Sequence, residues 1–177
     1  MIMGKLREPL AEIAAECSLP QALEAMGERW SFMILRASFN GVQHFEEFLT
    51  ELGIARNILA NRLSRLVDNQ VLKRTPCPED RRKVEYGLTE KGLDLLPTMI
   101  ALRQWGEKWE SGTPSNPVLA DQRDHQPISK ISIRAHDDRI LSHEDLCWID
   151  ENDIASSKNS SVDSNSGNGA VRKLVGV

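Results

Sequence analysis

Long apolar runs are missing from this sequence. No stretch approaches the ~18 consecutive apolar residues of a membrane-spanning helix. The first seventeen residues, MIMGKLREPLAEIAAEC, are broken by Lys5, Arg7, Glu8, Pro9, Glu12 and Glu16, and so lack the apolar core of a secretion signal. Cysteine is scarce: Cys17, Cys77 and Cys147 are odd in number and far apart, which excludes a dense disulfide framework. No Cys-x-x-Cys pair seeds a thiolate zinc site. Charge of one sign is not dominant either, with 22 Lys plus Arg against 26 Asp plus Glu and a net charge of -4. A uniformly basic coat is excluded, but a local basic face is not. The expected location is the cytoplasm, with no membrane partner.

The marks of catalysis are also absent. His44 and Cys17 could serve as base and nucleophile, yet no Asp or Asn partner, oxyanion loop or phosphate-cradling glycine loop accompanies them. Glu46-Glu47 and Asp137-Asp138 are sequence neighbours, so neither pair converges on a substrate by local geometry. His125, His136, His143 and Cys147 invite a metal reading, and His143 and Cys147 at i, i+4 could share a helical face. A turn at Asp137-Asp138 scatters the set. No catalytic residue, metal or cofactor is assigned.

Helical spacing fills the first 110 residues. Leu6, Leu10 and Ile13 predict an N-terminal helix or arm within 1–16, starting near residue 8 because of Pro9. Pro20 suits the first turn of a second helix, with Leu23, Met26 and Trp30 on its inner stripe and Gly27 interrupting it. WSFMILRASF, residues 30–39, is apolar on most sides and belongs at the centre of a small core, ending at Asn40-Gly41.

Phe45, Phe48, Leu49 and Leu52 then mark a short amphipathic helix, followed by Gly53-Ile54. Leu59, Leu63, Leu66 and Val67 mark another, from about Ala55 to Asn69. Two short helices joined by a tight glycine turn are the pattern of helix-turn-helix. Extended runs at 72–75 and 83–88 flank a Pro- and charge-rich loop and predict a hairpin with a basic tip. The fold class is therefore mainly α (α+β), a winged helix-turn-helix.

Thr89 caps a last long helix, about Glu90 to Trp109, which Pro97 kinks or delays. Twenty residues would reach roughly 30 Å, carrying more apolar residues than one small domain covers. Leu95, Met99, Leu102, Trp105 and Trp109 are its candidate dimer contacts. Residues 111–154 form a linker and a small β-hairpin extension, with strands at 130–135 and 139–141 and Ser142 capping a short segment. Residues 155–177 include a tail rich in Ser, Asn and Gly that is expected to be disordered.

With the apolar stripe of the 55–69 helix turned inward, Arg56, Asn57, Asn61, Ser64 and Arg65 face outward and Arg62 flanks them. Arginine and asparagine side chains match guanine and adenine edges in a major groove. At the hairpin tip, Arg81, Arg82 and Lys83 suit phosphates or the minor groove; Lys73 and Arg74 lie on a strand. Between Ile54 and Val84 the chain is net +5 inside a whole of -4. Taken singly, each of these is a solvated charge; together, on one helix face and one loop tip, they form a footprint for double-stranded DNA. The competing reading is a winged helix used only for protein–protein contact, which would place apolar anchors on that outer face.

The sequence resembles the HxlR family of bacterial regulators, relatives of MarR, over about residues 17–110. The resemblance rests on Cys17 with Pro20, on Ala22, Leu23, Gly27 and Trp30, and on Ile34-Leu35-Arg36. It continues through Phe45, Phe48, Leu49, Gly53 and Ile54, then Leu59, Arg62, Leu63 and Leu66. Val84-Glu85-Tyr86, Leu88, Thr89, Gly92 and Trp105 complete it. It departs at Cys17-Ser18, where the family has Cys-Pro, at Ala55, often Ser in the family, and at Asp80-Arg81-Arg82, which is closer to MarR. The resemblance implies a homodimeric winged-helix transcription factor on a pseudo-palindromic operator, with dimer contacts from the terminal helices. It also makes Cys17 a candidate redox sensor, against a plain reading as a small buried apolar residue. A dimeric repressor answering a small-molecule effector or redox signal is the function expected.

Overall fold

The computed structural model describes residues 17–77, 80 and 83–148. The expected N-terminal helix within 1–16, the tail 155–177 and the wing residues Arg81 and Arg82 lie outside the described residues. The chain falls into two compact units that divide between Ser132 and Ile133.

In the first unit, α1 runs Ser18–Met26 and stops at Gly27, whose φ of +79 only glycine adopts without strain. None of its residues is buried. The central helix α2, Arg29–Phe39, contributes Ile34, Leu35 and Ala37 to the core. Next comes α3, Phe45–Leu52, ending at Gly53 in the left-handed region with its amide bonded to the Leu49 carbonyl at 3.0 Å. The fourth helix, α4, Arg56–Asp68, buries Leu59, Leu63 and Leu66, the i, i+4, i+7 stripe of one face. With Phe48, Ile54, Val71 and Leu72 these residues form one core cluster.

Strands β1, Leu72–Pro76, and β2, Val84–Leu88, pair antiparallel with Arg74 opposite Tyr86. The wing is fastened from its other side: the Tyr86 amide donates to the Gln43 carbonyl at 2.8 Å, and the His44 ring lies 3.2 Å from the Val84 carbonyl. His44 also heads α3 in a reciprocal cap with Glu47. His44 thus ties the start of α3 to the wing strand β2.

The expected single helix from 90 to 109 is two. Thr89 caps only a short α5, Glu90–Leu93, and α6, Leu96–Gly106, begins afresh with Pro97 in its first turn. The break follows from proline's missing N–H, which a helix start does not need and a helix interior does. A π-helical turn, Glu107–Ser111, extends α6. Residues 112–132 fold back against it: Arg103 donates to the Pro117 carbonyl at 2.5 Å, and the Gln104 amide spans the Ser129 carbonyl and the Ile131 amide at 3.2 and 2.8 Å. A half-open cavity of about 100 Å³ lies between Ile100, Arg103, Val118 and Ile128.

The described part of the second unit is a minimal hairpin, β3 Ile133–Arg134 with β4 Ile140–Leu141, followed by a Ser142-capped 3-10 turn. It is shorter than the strands expected at 130–135 and 139–141: at one end the Ile131 amide is bonded to Gln104, and at the other Ala135 and Arg139 close the turn, the Ala135 amide donating to the Arg139 carbonyl at 2.9 Å.

Candidate nucleic-acid interface

Leu59, Leu63 and Leu66 are buried and turn one face of α4 toward the core, so the residues of the opposite face point outward. Asn57, Asn61 and Arg65, spaced i, i+4, i+8, are exposed along one line with Ser64 beside them. None of the exposed large apolar side chains belongs to this helix. Ala55, at the N-cap, supplies no side-chain hydrogen bond, which leaves the first-turn amides of α4 without a local side-chain acceptor.

The arginines differ from one another. Arg56 forms two hydrogen bonds to Glu46, at 2.8 and 2.9 Å, and stacks over the Phe45 ring at 5.3 Å; both ends of the pair stay about two-thirds exposed. The Arg56 hydrogen bond holds the Glu46 carboxyl below its ordinary pKa, and Glu46 in turn raises Arg56. Arg65 donates to the backbone carbonyl of Glu24 in α1 at 3.2 Å. Arg62 pairs with Glu28, its side chain only 17% exposed and its Nε buried without a hydrogen-bond partner. Among the wing cations Lys83 is exposed, as are Lys73 and Arg74 on β1.

Glu46, Glu28 and the Glu24 carbonyl were not legible as parts of this surface. Glu46 had a faint signal, an acid in the helix preceding a cation-rich one; Glu28 had none, being remote from Arg62 in sequence.

The candidate dimer residues divide into two groups. Leu95 and Met99 pack against the protomer's own core. Leu102, Trp105 and Trp109 are 51%, 53% and 63% exposed, an i, i+3, i+7 stripe with the Lys108 ammonium 4.3 Å from the Trp109 ring. Cys17 sits half-buried at the N-cap of α1, Cys77 is half-buried at the wing, and Cys147 is exposed; all three are free thiols. Among the described residues no helix is long and apolar enough to cross a membrane.

Comparisons with known proteins agree with this geometry. A family model described as HxlR-like helix-turn-helix matches residues 25–113. The uncharacterized HTH-type transcriptional regulator Rv3095 of Mycobacterium tuberculosis is 42% identical over 92 residues, 52% of this chain and 58% of that protein. The chain thus spans little more than half the length of that relative. The HTH-type transcriptional regulator YodB of Bacillus subtilis is 30% identical over 92 residues, 51% of this chain and 82% of YodB. The crystal structure of PA1607 is similar with a TM-score of 0.71 and 35% identity, covering 80% of this chain and 99% of PA1607. That likeness takes in more of the chain than the family model does.

Proposed function

The chain belongs to the HxlR-like helix-turn-helix family, and from that premise we propose that it is a sequence-specific DNA-binding transcriptional regulator. The observation that carries the reading is the outward line of Asn57, Asn61, Ser64 and Arg65 on α4. It is polar and exposed, without the apolar anchors a protein-docking face requires. It lies within a segment of net +5 in a chain of -4. Amides and guanidinium groups at that spacing reach base edges, while the wing cations, Lys83 with Arg81 and Arg82, reach phosphates.

The protein acts as a homodimer, with α4 of each copy entering successive major grooves about 34–36 Å apart on a pseudo-palindromic operator. Occupying the operator blocks polymerase, which makes it a repressor, and a small-molecule or redox signal releases it. Its place of action is the cytoplasm.

The test is binding to a duplex that wild-type protein enriches from a random-sequence pool, at fixed ionic strength. Asn61→Ala costs about 1–3 kcal/mol and relaxes sequence preference, whereas Lys83→Ala weakens all sequences alike and lowers the salt slope by about 1. Wild-type affinity and salt slope in both variants would remove the assignment.

A further inference from the structure

We infer that Glu28, outside the recognition helix, is a positioning residue for base readout: through Arg62 it sets the angle at which α4 presents Asn57 and Asn61. The inference rests on the DNA-binding reading above.

Glu28 heads α2 in an extended conformation (φ -117, ψ -171), directly after Gly27. That corner is tight, since a Cβ on residue 27 would come within 2.9 Å of the Ser31 hydroxyl. The carboxylate is thereby delivered beside the flank of α4, where Arg62 meets it.

Each arginine of α4 leans on a different neighbour. Arg56 holds the first turn to α3 through Glu46. Arg65 holds the last turns to α1 through the Glu24 carbonyl. Arg62, between them, holds the middle to the α1–α2 corner, and of the three it alone is half-buried rather than exposed. An end tie that is open to water exchanges readily with solvent, but a covered guanidinium released from its carboxylate loses a partner that water replaces poorly.

The consequence for readout is geometric. Side-chain ends ride on a cylinder of roughly 5–6 Å radius, so a roll of about 10° moves them by about 1 Å. That shift takes an amide out of hydrogen-bonding geometry with a base edge. It hardly alters contacts with phosphates, which long flexible cations follow. Arg62 is therefore a tie to the scaffold, and base specificity depends on an acid that never meets DNA.

The test compares two duplexes of equal length, the one enriched by wild-type protein and a scrambled one, by fluorescence anisotropy, with thermal melts alongside. Glu28→Gln is expected to lose roughly tenfold in affinity for the enriched duplex and little for the scrambled one. The exchanged pair, Glu28→Arg with Arg62→Glu, recovers most of that loss. If the exchanged pair does not fold, Glu28→Gln decides alone, being nearly isosteric and solvent-facing. Tighter binding of Glu28→Gln to both duplexes would mean that Arg62 contacts phosphate and Glu28 restrains it, and would overturn the inference. A lowered melting temperature with an unchanged ratio of affinities would overturn it too, as would a folded exchanged pair without recovery. If wild-type protein enriches no duplex, the DNA-binding reading itself falls and takes this one with it, an outcome visible without any variant.

Discussion

The Thr89 hydroxyl lies 2.6 Å from the Gln70 carbonyl and donates to it, while accepting the Gly92 amide at 3.1 Å. One side chain thus closes the chain reversal after α4 and opens α5. Lys91 adds a bond to the Asn69 carbonyl at 2.9 Å. The two segments press so closely that a Cβ on Gly92 would run into the Val71 carbonyl oxygen. Backbone cannot yield as a side chain does, so Gly92→Ala should destabilise the fold by about 1–3 kcal/mol. Equilibrium urea unfolding measures it; a midpoint equal to wild type would show that the two segments separate at no cost.

Gln70 itself carries a left-handed backbone, with φ of +59, in the turn that follows α4. A side chain there is strained, and the position after a helix is where glycine is ordinarily found. Gln70→Gly should therefore stabilise the protein by about 0.5–1 kcal/mol, even though the unfolded chain gains freedom. The melting temperature should rise, and a fall would mean that the Gln70 side chain contributes more than its backbone costs.

Glu46 holds the Arg56 guanidinium in a two-bond pair, and on the DNA-binding reading proposed above it competes with phosphate for that cation. Its folded pKa is depressed, first by the Arg56 hydrogen bond, so the stability it contributes is present above the ordinary carboxylate pKa. That stability is lost as pH falls through the lowered value. Glu46→Gln should accordingly flatten the loss of stability on acidification below about pH 4.5. At neutral pH it should free Arg56 for a phosphate and steepen the salt dependence of DNA binding by about 1. A salt slope identical to wild type would show that Arg56 does not reach the backbone.

What could be seen in the sequence was whatever local periodicity controls. Leu59, Leu63 and Leu66 declare the buried face of α4 at 3.6-residue spacing, and Asn40-Gly41 and Gly53 declare where helices stop, because those signals act within one or two turns. The break between α5 and α6 was half legible: Pro97 marks it, but whether proline kinks a helix or begins one depends on Thr89 closing onto Gln70. The state of each arginine was not legible. Arg56, Arg62 and Arg65 look alike in sequence, and only the fold assigns one to Glu46, one to Glu28 and one to the Glu24 carbonyl.

The exposed stripe of Leu102, Trp105 and Trp109 leads to the prediction about assembly. Each of these rings and the leucine remains more than half exposed in the protomer. A Trp side chain offers roughly 150–250 Å², so the three together fall short of the ~800 Å² per partner that a stable interface buries. Leu19 and Leu23 on α1, 59% and 52% exposed, with Leu93 and Leu96 at 54% and 40%, supply further apolar area from the same compact unit. A dimer built on these residues should sediment as twice the protomer mass, and Trp105→Glu with Trp109→Glu should reduce it to the protomer. Each tryptophan replaced singly by alanine should weaken the dimer by roughly tenfold or more, as central aromatic anchors do. The double variant should retain its helical circular dichroism, since neither ring belongs to the buried core. It should also lose the steep preference for a two-half-site duplex over a single half-site, because each head then binds alone. Wild-type protein that sediments as a protomer at the concentrations where it binds DNA would separate the exposed stripe from assembly altogether.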